Sequence, residues 1–418
     1  MDRLVIDDLE LQGKRVLTRV DFNVPLADGR VADDTRIQAA LPTIKKVIGD
    51  GGKLILMSHL GRPKGQPSPE FSLAPVAKHL SELLGQEVQM AKDCVGAEVE
   101  AQANALKEGQ VLMLENTRFH PGETANDPEF AQQLAALGDV YVNDAFGAAH
   151  RAHASTQGVT KFIKECAAGY LLQREVENLT KLLEAPEKPY VVILGGAKVS
   201  DKLRVIHNLV TRASALLVGG GMSYTFLKAK EVAIGDSILD DERLAMAYNT
   251  LVVASKPHPY KKLEFLLPLD HVIANAQNES ETRVTKDAAI PAGWKGVDIG
   301  PRTVEAFTQR IQAARTIFWN GPMGIFEKDA FAKGTVAIAE AVAKATDSGA
   351  FSVVGGGDSI AAIEKSGVKD RISHVSTGGG ASLEFLAGID LPGIMALSKA
   401  KKKPVEKPAK KEATAESE

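Results

Sequence analysis

The chain has few cysteines: Cys94 and Cys166 are the two in 418 residues. They stand far apart and lack metal-ligand spacing, which argues against a disulfide framework and implies free thiols in a reducing, cytoplasmic setting. Charge of one sign is missing too, since 50 Lys and Arg face 53 Asp and Glu for a net charge of -3. Nothing global therefore draws the chain to nucleic acid or an anionic membrane, and an anion site must come from local clustering. No apolar run approaches the ~18 residues of a membrane helix, and the opening "MDRLVIDDLE" has no apolar signal core.

Several chemical signatures are absent as well. The sequence contains neither G-x-x-x-x-G-K-[ST] nor G-x-G-x-x-G, the two familiar phosphate loops, and no G-x-S-x-G. Without G-x-G-x-x-G and a following acidic residue, a nicotinamide oxidoreductase has no support. The closest pair among nine histidines, His150 and His153, lacks the usual partners of a metal site. No general base stands out. That fits an acceptor that is already an anion, because a carboxylate of pKa ~4 has no proton to remove.

What is present is a repeated alternation. Apolar, β-branched runs such as "RVLTRVDF", "KLILMSHLG", "VYVNDAFG", "YVVILGGAK", "EFLLPLDHVIA", "TIFWNGPMG" and "FSVVGGGDS" mostly lead through a polar or glycine turn into a helical pattern. Such alternation implies parallel sheets covered on both faces, with ligands outside the carboxyl ends of the strands. The first half ends its strands with Asp21, Asn23, His59, Arg62, Arg118 and Arg151. The second ends them mostly with glycines, two lysines and Asp358. Two sites of different character follow.

In "VVILGGAKVSDK" a buried strand runs into two glycines and a helix expected to start near Ser200. Lys198 and Lys202 would then flank a helix N-terminus, where cations are unfavourable unless an anion shares the site. A solvent-facing pair beside Asp201 is the bland alternative. Triple glycines at Gly219 to Gly221, Gly355 to Gly357 and Gly378 to Gly380 allow a ligand close to bare backbone, or serve as packing turns. Asp358 can cap its helix or hold Mg²⁺ on a polyphosphate, and the two roles are compatible. Arg36, after "DDT", falls in a first helical turn. Four arginines and His59 near strand ends suit a small, multiply anionic guest, since guanidinium forks match carboxylate and phosphate.

Between the halves, Gly169 to Pro189 carries Leu172, Val176, Leu179 and Leu183 at helical spacing and is stopped by two prolines. A hinge helix or an ordinary crossover helix would both fit. The last twenty residues hold seven lysines, four glutamates and no aromatic, and are expected to stay disordered.

The motifs "RVDFNVP", "SHLGRP", "LENTRF", "NDAFGAAHRAHAS", "GGAKVSDK", "FWNGPMGIFE", "GGGDS" and "STGGGASLEFLAG" together resemble phosphoglycerate kinase, in that family's order, to about Ser398. The resemblance implies an α/β fold of two Rossmann-like lobes with parallel sheets joined by a long hinge helix. It divides the chain into a 3-phosphoglycerate lobe at 1–169, a hinge at 170–189, a nucleotide lobe at 190–384, a segment near 385–398 packing back on the first lobe, and a tail at 399–418. It implies that Asp21, Phe22, Asn23, Arg36, His59, Leu60, Gly61, Arg62, Arg118 and Arg151 hold 3-phosphoglycerate or 1,3-bisphosphoglycerate. Lys198, Lys202, Asn320, Glu327, Gly356, Gly357, Asp358 and Ser359 would hold ATP or ADP, with Asp358 on Mg²⁺. Ser359 replaces a threonine of many relatives and keeps the hydroxyl. Arg36, Lys198, Gly357, Gly379 and Gly380 would carry the transfer, in a cytoplasmic monomer. A two-lobed binding protein without turnover is the rival; it leaves the glycine turns, lysines and Asp358 unexplained.

Overall fold

The computed structural model of the chain describes residues 1–197, 199–200, 202–256 and 263–400. Two six-stranded parallel sheets organise it. The first is ordered Val88–Met90, Val111–Met113, Lys53–Met57, Arg15–Val20, Val140–Asp144, Cys166–Ala168. Its register pairs Val16 with Leu54 and Leu54 with Val111, which share one apolar cluster, while Leu17, Ile55 and Leu112 share another on the opposite face. This period-two split explains the continuous apolar runs: each strand buries both faces under helices.

The second sheet repeats the design, ordered Glu264–Leu266, Ala215–Val218, Tyr190–Leu194, Thr316–Asn320, Phe351–Gly355, His374–Ser376. In each sheet the first strand in the chain is internal, with later strands added on both sides. Asp21 to Asn23 and Gly195 to Gly196 therefore emerge where the strand order reverses, the usual crevice for ligands in such sheets.

The helix Tyr170–Leu183 joins the halves and ends before Pro186 and Pro189. Leu172, Val176, Leu179 and Leu182 enter a cluster that also takes Leu17 and Tyr141 from the first sheet and Val192 and Phe318 from the second. Leu182 is buried in place of Leu183, which packs at the edge of that cluster.

Two sequence expectations need correction. The helix after "GGAKVS" is Leu203–Leu209, with Lys202 at its N-cap, so it does not start near Ser200. Val199 O accepts from both Lys202 N and Leu203 N, so Val199 and Lys202 belong to the entry turn and precede the helix. The run "EFLLPLDHVIA" is not one strand: Pro268 separates Glu264–Leu266 from His271–Asn275. The latter joins an antiparallel sheet with Thr282–Val284 and Trp294–Ile299 that the alternation did not reveal.

After the helix Pro392–Met395 the chain lies on the first lobe. Leu4 N donates to Ser398 O at 2.8 Å, Ser398 N to Cys166 O at 2.9 Å and Ala400 N to Asp2 O at 3.0 Å. Lys399 and Ala400 thus pair with the N-terminus. The rest of the expected tail, 401–418, lies outside the described residues, as do Lys198 and Asp201.

Candidate active site

The first lobe gathers its cationic residues around one cavity of about 290 Å³, lined by Asp21, Asn23, Arg36, His59, Gly61, Arg62, Arg118 and Arg151. Local chemistry sets each in place. Asp33 Oδ1 accepts from Thr35 N at 2.8 Å and opens the helix Thr35–Gly49, whose second residue is Arg36. Arg36 Nη1 meets Asp21 Oδ2 at 2.8 Å. Asn23 Oδ1 accepts from Gly61 N at 2.8 Å, and Arg118 Nη1 donates to Gly61 O at 2.8 Å. Gly61 has φ +62°, and a Cβ there would stand 2.3 Å from the Phe71 ring, so the position admits glycine alone without rearrangement. Phe22 and Leu60 instead face the core behind this wall.

The cavity is electrostatically unbalanced. Among the described residues, Arg62, Arg118 and Arg151 have no carboxylate within ion-pair distance. Arg118 is buried, and its Nε lacks an acceptor. Burial first, then the nearby Arg19 and Arg151, lower the Arg118 guanidinium to about 10, still charged at neutral pH. Burial, joined by Arg19, Arg118 and Arg36, holds His59 well below the usual imidazole range. His153 is lowered to about 4 by burial and then by Arg118, Arg19 and Arg151. Neutral histidines among unpaired arginines describe a field that favours an anion.

Behind the cavity runs a buried chain of contacts that the sequence reading missed. Glu123 accepts from Ser155 N at 2.9 Å and Ser155 Oγ at 2.6 Å. Arg19 Nε donates to Ser155 Oγ at 2.8 Å and its Nη2 to His59 Nδ1 at 3.0 Å. Since a guanidinium can only donate, His59 Nδ1 accepts and the ring proton sits on Nε2. A readable signal existed: Arg19 is a charged residue near the end of a strand, Arg15–Val20, whose last five residues are all buried.

Three glycines of the second lobe, Gly378 to Gly380, line this same cavity together with Gly147, Ala148 and His150. Their turn is held from behind by Glu175 on the connecting helix. The buried Glu175 carboxylate accepts from Thr377 N at 2.8 Å, Thr377 Oγ1 at 3.2 Å and His374 Nε2 at 2.9 Å. Glu175 lies on the buried stripe of its helix, three residues after Leu172, which was the overlooked signal.

A second pocket of about 340 Å³ lies in the second lobe. Gly196, Gly220, Gly221, Ile238, Val297, Ile325, Glu327 and Asp358 are among its walls. Here the glycine turns divide into two kinds. Gly195, Gly220 and Gly321 are packing glycines, because a Cβ at each would lie 2.1 to 2.6 Å from backbone of a neighbouring turn. Gly357 and Gly379 meet nothing within 4 Å and stand open. Lys202 reaches back over the first turn, its Nζ 3.4 Å from where a Gly196 Cβ would be. Asn320 and Ser359 lie behind the pocket: Asn320 Nδ2 donates to Gly355 O at 2.7 Å, and Ser359 Oγ accepts from Gly321 N at 2.6 Å. Asp358 is exposed in the first turn of Gly357–Lys365, and among the described residues its carboxylate has no partner. Gly356, at φ +95°, takes the N-cap position that the sequence left open to Asp358.

Two Rossmann-like lobes, an arginine cavity closed by the opposite lobe's glycine turn, and a glycine-walled pocket define a two-lobed phosphotransferase. A family model described as phosphoglycerate kinase matches residues 6–389. The phosphoglycerate kinase of Moorella thermoacetica is 55% identical over 399 residues, covering 95% of this chain and 100% of that protein. That of Chlorobium limicola is 54% identical over 400 residues with the same coverage. The solved phosphoglycerate kinase of Coxiella burnetii superposes with a TM-score of 0.84 at 42% identity, covering 94% of this chain and 98% of that one. The Pyrococcus horikoshii structure gives 0.79 at 34% identity, with the same two coverages. The chain belongs to the phosphoglycerate kinase family.

Proposed function

We propose that the chain catalyses reversible phosphoryl transfer between the acyl phosphate of 1,3-bisphosphoglycerate and ADP, giving 3-phosphoglycerate and ATP in glycolysis and gluconeogenesis. The observation that carries this reading is the shared cavity: unpaired arginines of one lobe face the open glycine turn of the other. In this reading Arg62, Arg118 and Arg151 hold the anionic substrate, and His59, Asn23 and Asp21 orient it. Phe22, Leu60 and Gly61 form its supporting wall.

Arg36 lies at the cavity between the substrate and the second lobe. It and Lys198 offset charge on the migrating phosphoryl group, with N–H groups at Gly357, Gly379 and Gly380 as further donors. The nucleotide occupies the second pocket, its base against Ile238 and Ile325 and its ribose near Glu327. Lys202 and Gly356 face its phosphates, and Asn320 and Ser359 hold the loops that shape them. The carboxylate of Asp358 is exposed at that pocket and unpartnered, a hard oxygen donor that suits Mg²⁺ directly or through water. When bound, the ion neutralises nucleotide phosphate charge.

The substrates occupy different lobes, so closure about the helix at 170–189 must align donor with acceptor and exclude water. This takes 1–169 with the returning segment near 385–398 as one lobe and 190–384 as the other. One chain supplies both halves of the site, which supports a monomer. Two free, buried cysteines support a cytoplasmic setting. No helix of the described residues is long and apolar enough to cross a membrane.

Incubation with Mg-ATP, 3-phosphoglycerate and hydroxylamine traps an acyl phosphate as its hydroxamate. Product that requires all of these is expected. A folded chain that binds both substrates yet forms none would make it a binding protein.

A further inference from the structure

Apart from both cavities, three ligand-type side chains converge on the outer part of the first lobe. Asp93 and Cys94 follow the edge strand Val88–Met90, and His120 precedes the helix Pro121–Ala125. A carboxylate oxygen, Cys94 Sγ and an imidazole nitrogen lie within 4.8 Å of one another. His120 Nε2 is 2.6 Å from Asp93 Oδ1. The imidazole plane is fixed by stacking on Phe130, with ring centroids 5.0 Å apart. Cys94 is fully buried in the apolar core, so its sulfur can reach a polar ligand only on the side of this cluster. Asp93 and His120 also border a surface cavity of about 340 Å³, which gives small ions a route in. Glu115 lines that cavity too, but its carboxylate is engaged by Ser72 Oγ at 2.7 Å and Leu73 N at 2.8 Å.

We propose that Asp93, Cys94 and His120 form a binding site for a borderline-soft divalent cation, zinc above all, with its fourth position open to the surface cavity. A mixed S, N and O donor set suits zinc, whereas Mg²⁺ takes oxygen ligands, so this site is chemically separate from the nucleotide pocket. Bond lengths of ~2.0–2.3 Å place tetrahedral ligands ~3.3–3.8 Å apart. The His120–Asp93 pair must then open by less than ~1 Å and the widest pair close by ~1 Å, movements within reach of side-chain rotation. On binding, the thiol loses its proton and the imidazole proton moves from Nε2 to Nδ1. The site shares no side chain with the arginine cavity, so binding can be measured without turnover.

The test is titration of the chelator-treated full chain with Co²⁺ and then Zn²⁺. One Co²⁺ per chain is expected, with a thiolate-to-cobalt charge-transfer band that Zn²⁺ abolishes and excess Mg²⁺ does not. Cys94→Ala should lose the band, and Cys166→Ala should keep it. His120 is partly exposed, so His120→Gln should fold normally and still bind ~100-fold or more weakly. No thiolate band in the unsubstituted chain, a band that survives Cys94→Ala, or equal affinity in His120→Gln would each overturn the assignment.

Discussion

Glu175 ties the connecting helix to the glycine turn that enters the arginine cavity, and removing its side chain should separate the two. Glu175→Ala leaves Thr377 N and His374 Nε2 as buried donors without an acceptor. Each orphaned donor costs ~1–3 kcal/mol, so the second lobe should lose roughly 2–6 kcal/mol, before any cavity term. Glu175→Gln retains an acceptor for Thr377, and its amide can donate to the other tautomer of His374, so most of the loss should be restored. Urea unfolding followed by a second-lobe probe measures the cost, and hydrogen exchange at residues 377–380 reports whether the turn has loosened. A fall in kcat with little change in nucleotide KM should accompany it, because Glu175 is not part of the nucleotide pocket. The reasoning fails if Glu175→Ala unfolds at the same urea concentration and leaves amide protection at the turn unchanged. It fails equally if Glu175→Gln is as damaging as Glu175→Ala.

Other substitutions probe separate parts of the site. Arg36→Ala should lower kcat ~10²–10³-fold while nucleotide affinity measured by calorimetry stays near normal; equal activity would remove Arg36 from the mechanism. Gly61→Ala forces a Cβ into Phe71 and displaces the backbone that meets Asn23 and Arg118, so KM for 3-phosphoglycerate should rise severalfold in steady-state assays while KM for ATP does not. Gly379→Ala meets no neighbour but must adopt φ +54° with ψ −118°, outside the left-handed helical well, at a cost of ~1–3 kcal/mol, and should slow turnover more than it weakens either substrate. Burial pushes the Asp144 carboxyl from 3.8 up to about 7, against hydrogen bonds from Thr43, Leu172 and Leu171. A raised carboxyl means that the folded state binds the extra proton, so the contribution of this group to stability is fully present below about pH 3.8 and is lost as pH rises through about 7. The full cost is at most ~4 kcal/mol above that range. Asp144→Asn should flatten this dependence in urea midpoints measured from pH 4 to 8.

Much of the scaffold was readable because buried parallel strands must be apolar on both faces, and runs such as "YVVILGG" admit few other uses. The antiparallel sheet was hidden because Pro268 interrupts an apolar run without changing its composition. The helix after "GGAKVS" was placed too early because Ser200 and Asp201 resemble a cap, whereas the turn is anchored by the Val199 carbonyl. At the site, the arginines were visible as cations after strands, but the partners that orient them were not. Glu123, Ser155 and Glu175 act through buried contacts across 32 to 202 positions of sequence, a pairing that periodicity cannot register. The glycine turns show the same limit. Composition flagged Gly220 and Gly379 alike, yet one is crowded by a neighbouring backbone and the other faces open space.

The return of the chain to its starting lobe has a consequence for synthesis. Cys166, on the edge strand of the first sheet, is paired through Ser398, and Asn143 Nδ2 donates to Gly393 O at 3.2 Å. A ribosome that has delivered the whole first sheet has therefore delivered an unfinished domain, whose edge stays exposed while more than two hundred further residues are made. The second lobe has no such debt and can fold as soon as it emerges. The order of completion would then reverse the order of translation, with the N-terminal half waiting longest and most open to mispairing or chaperone capture.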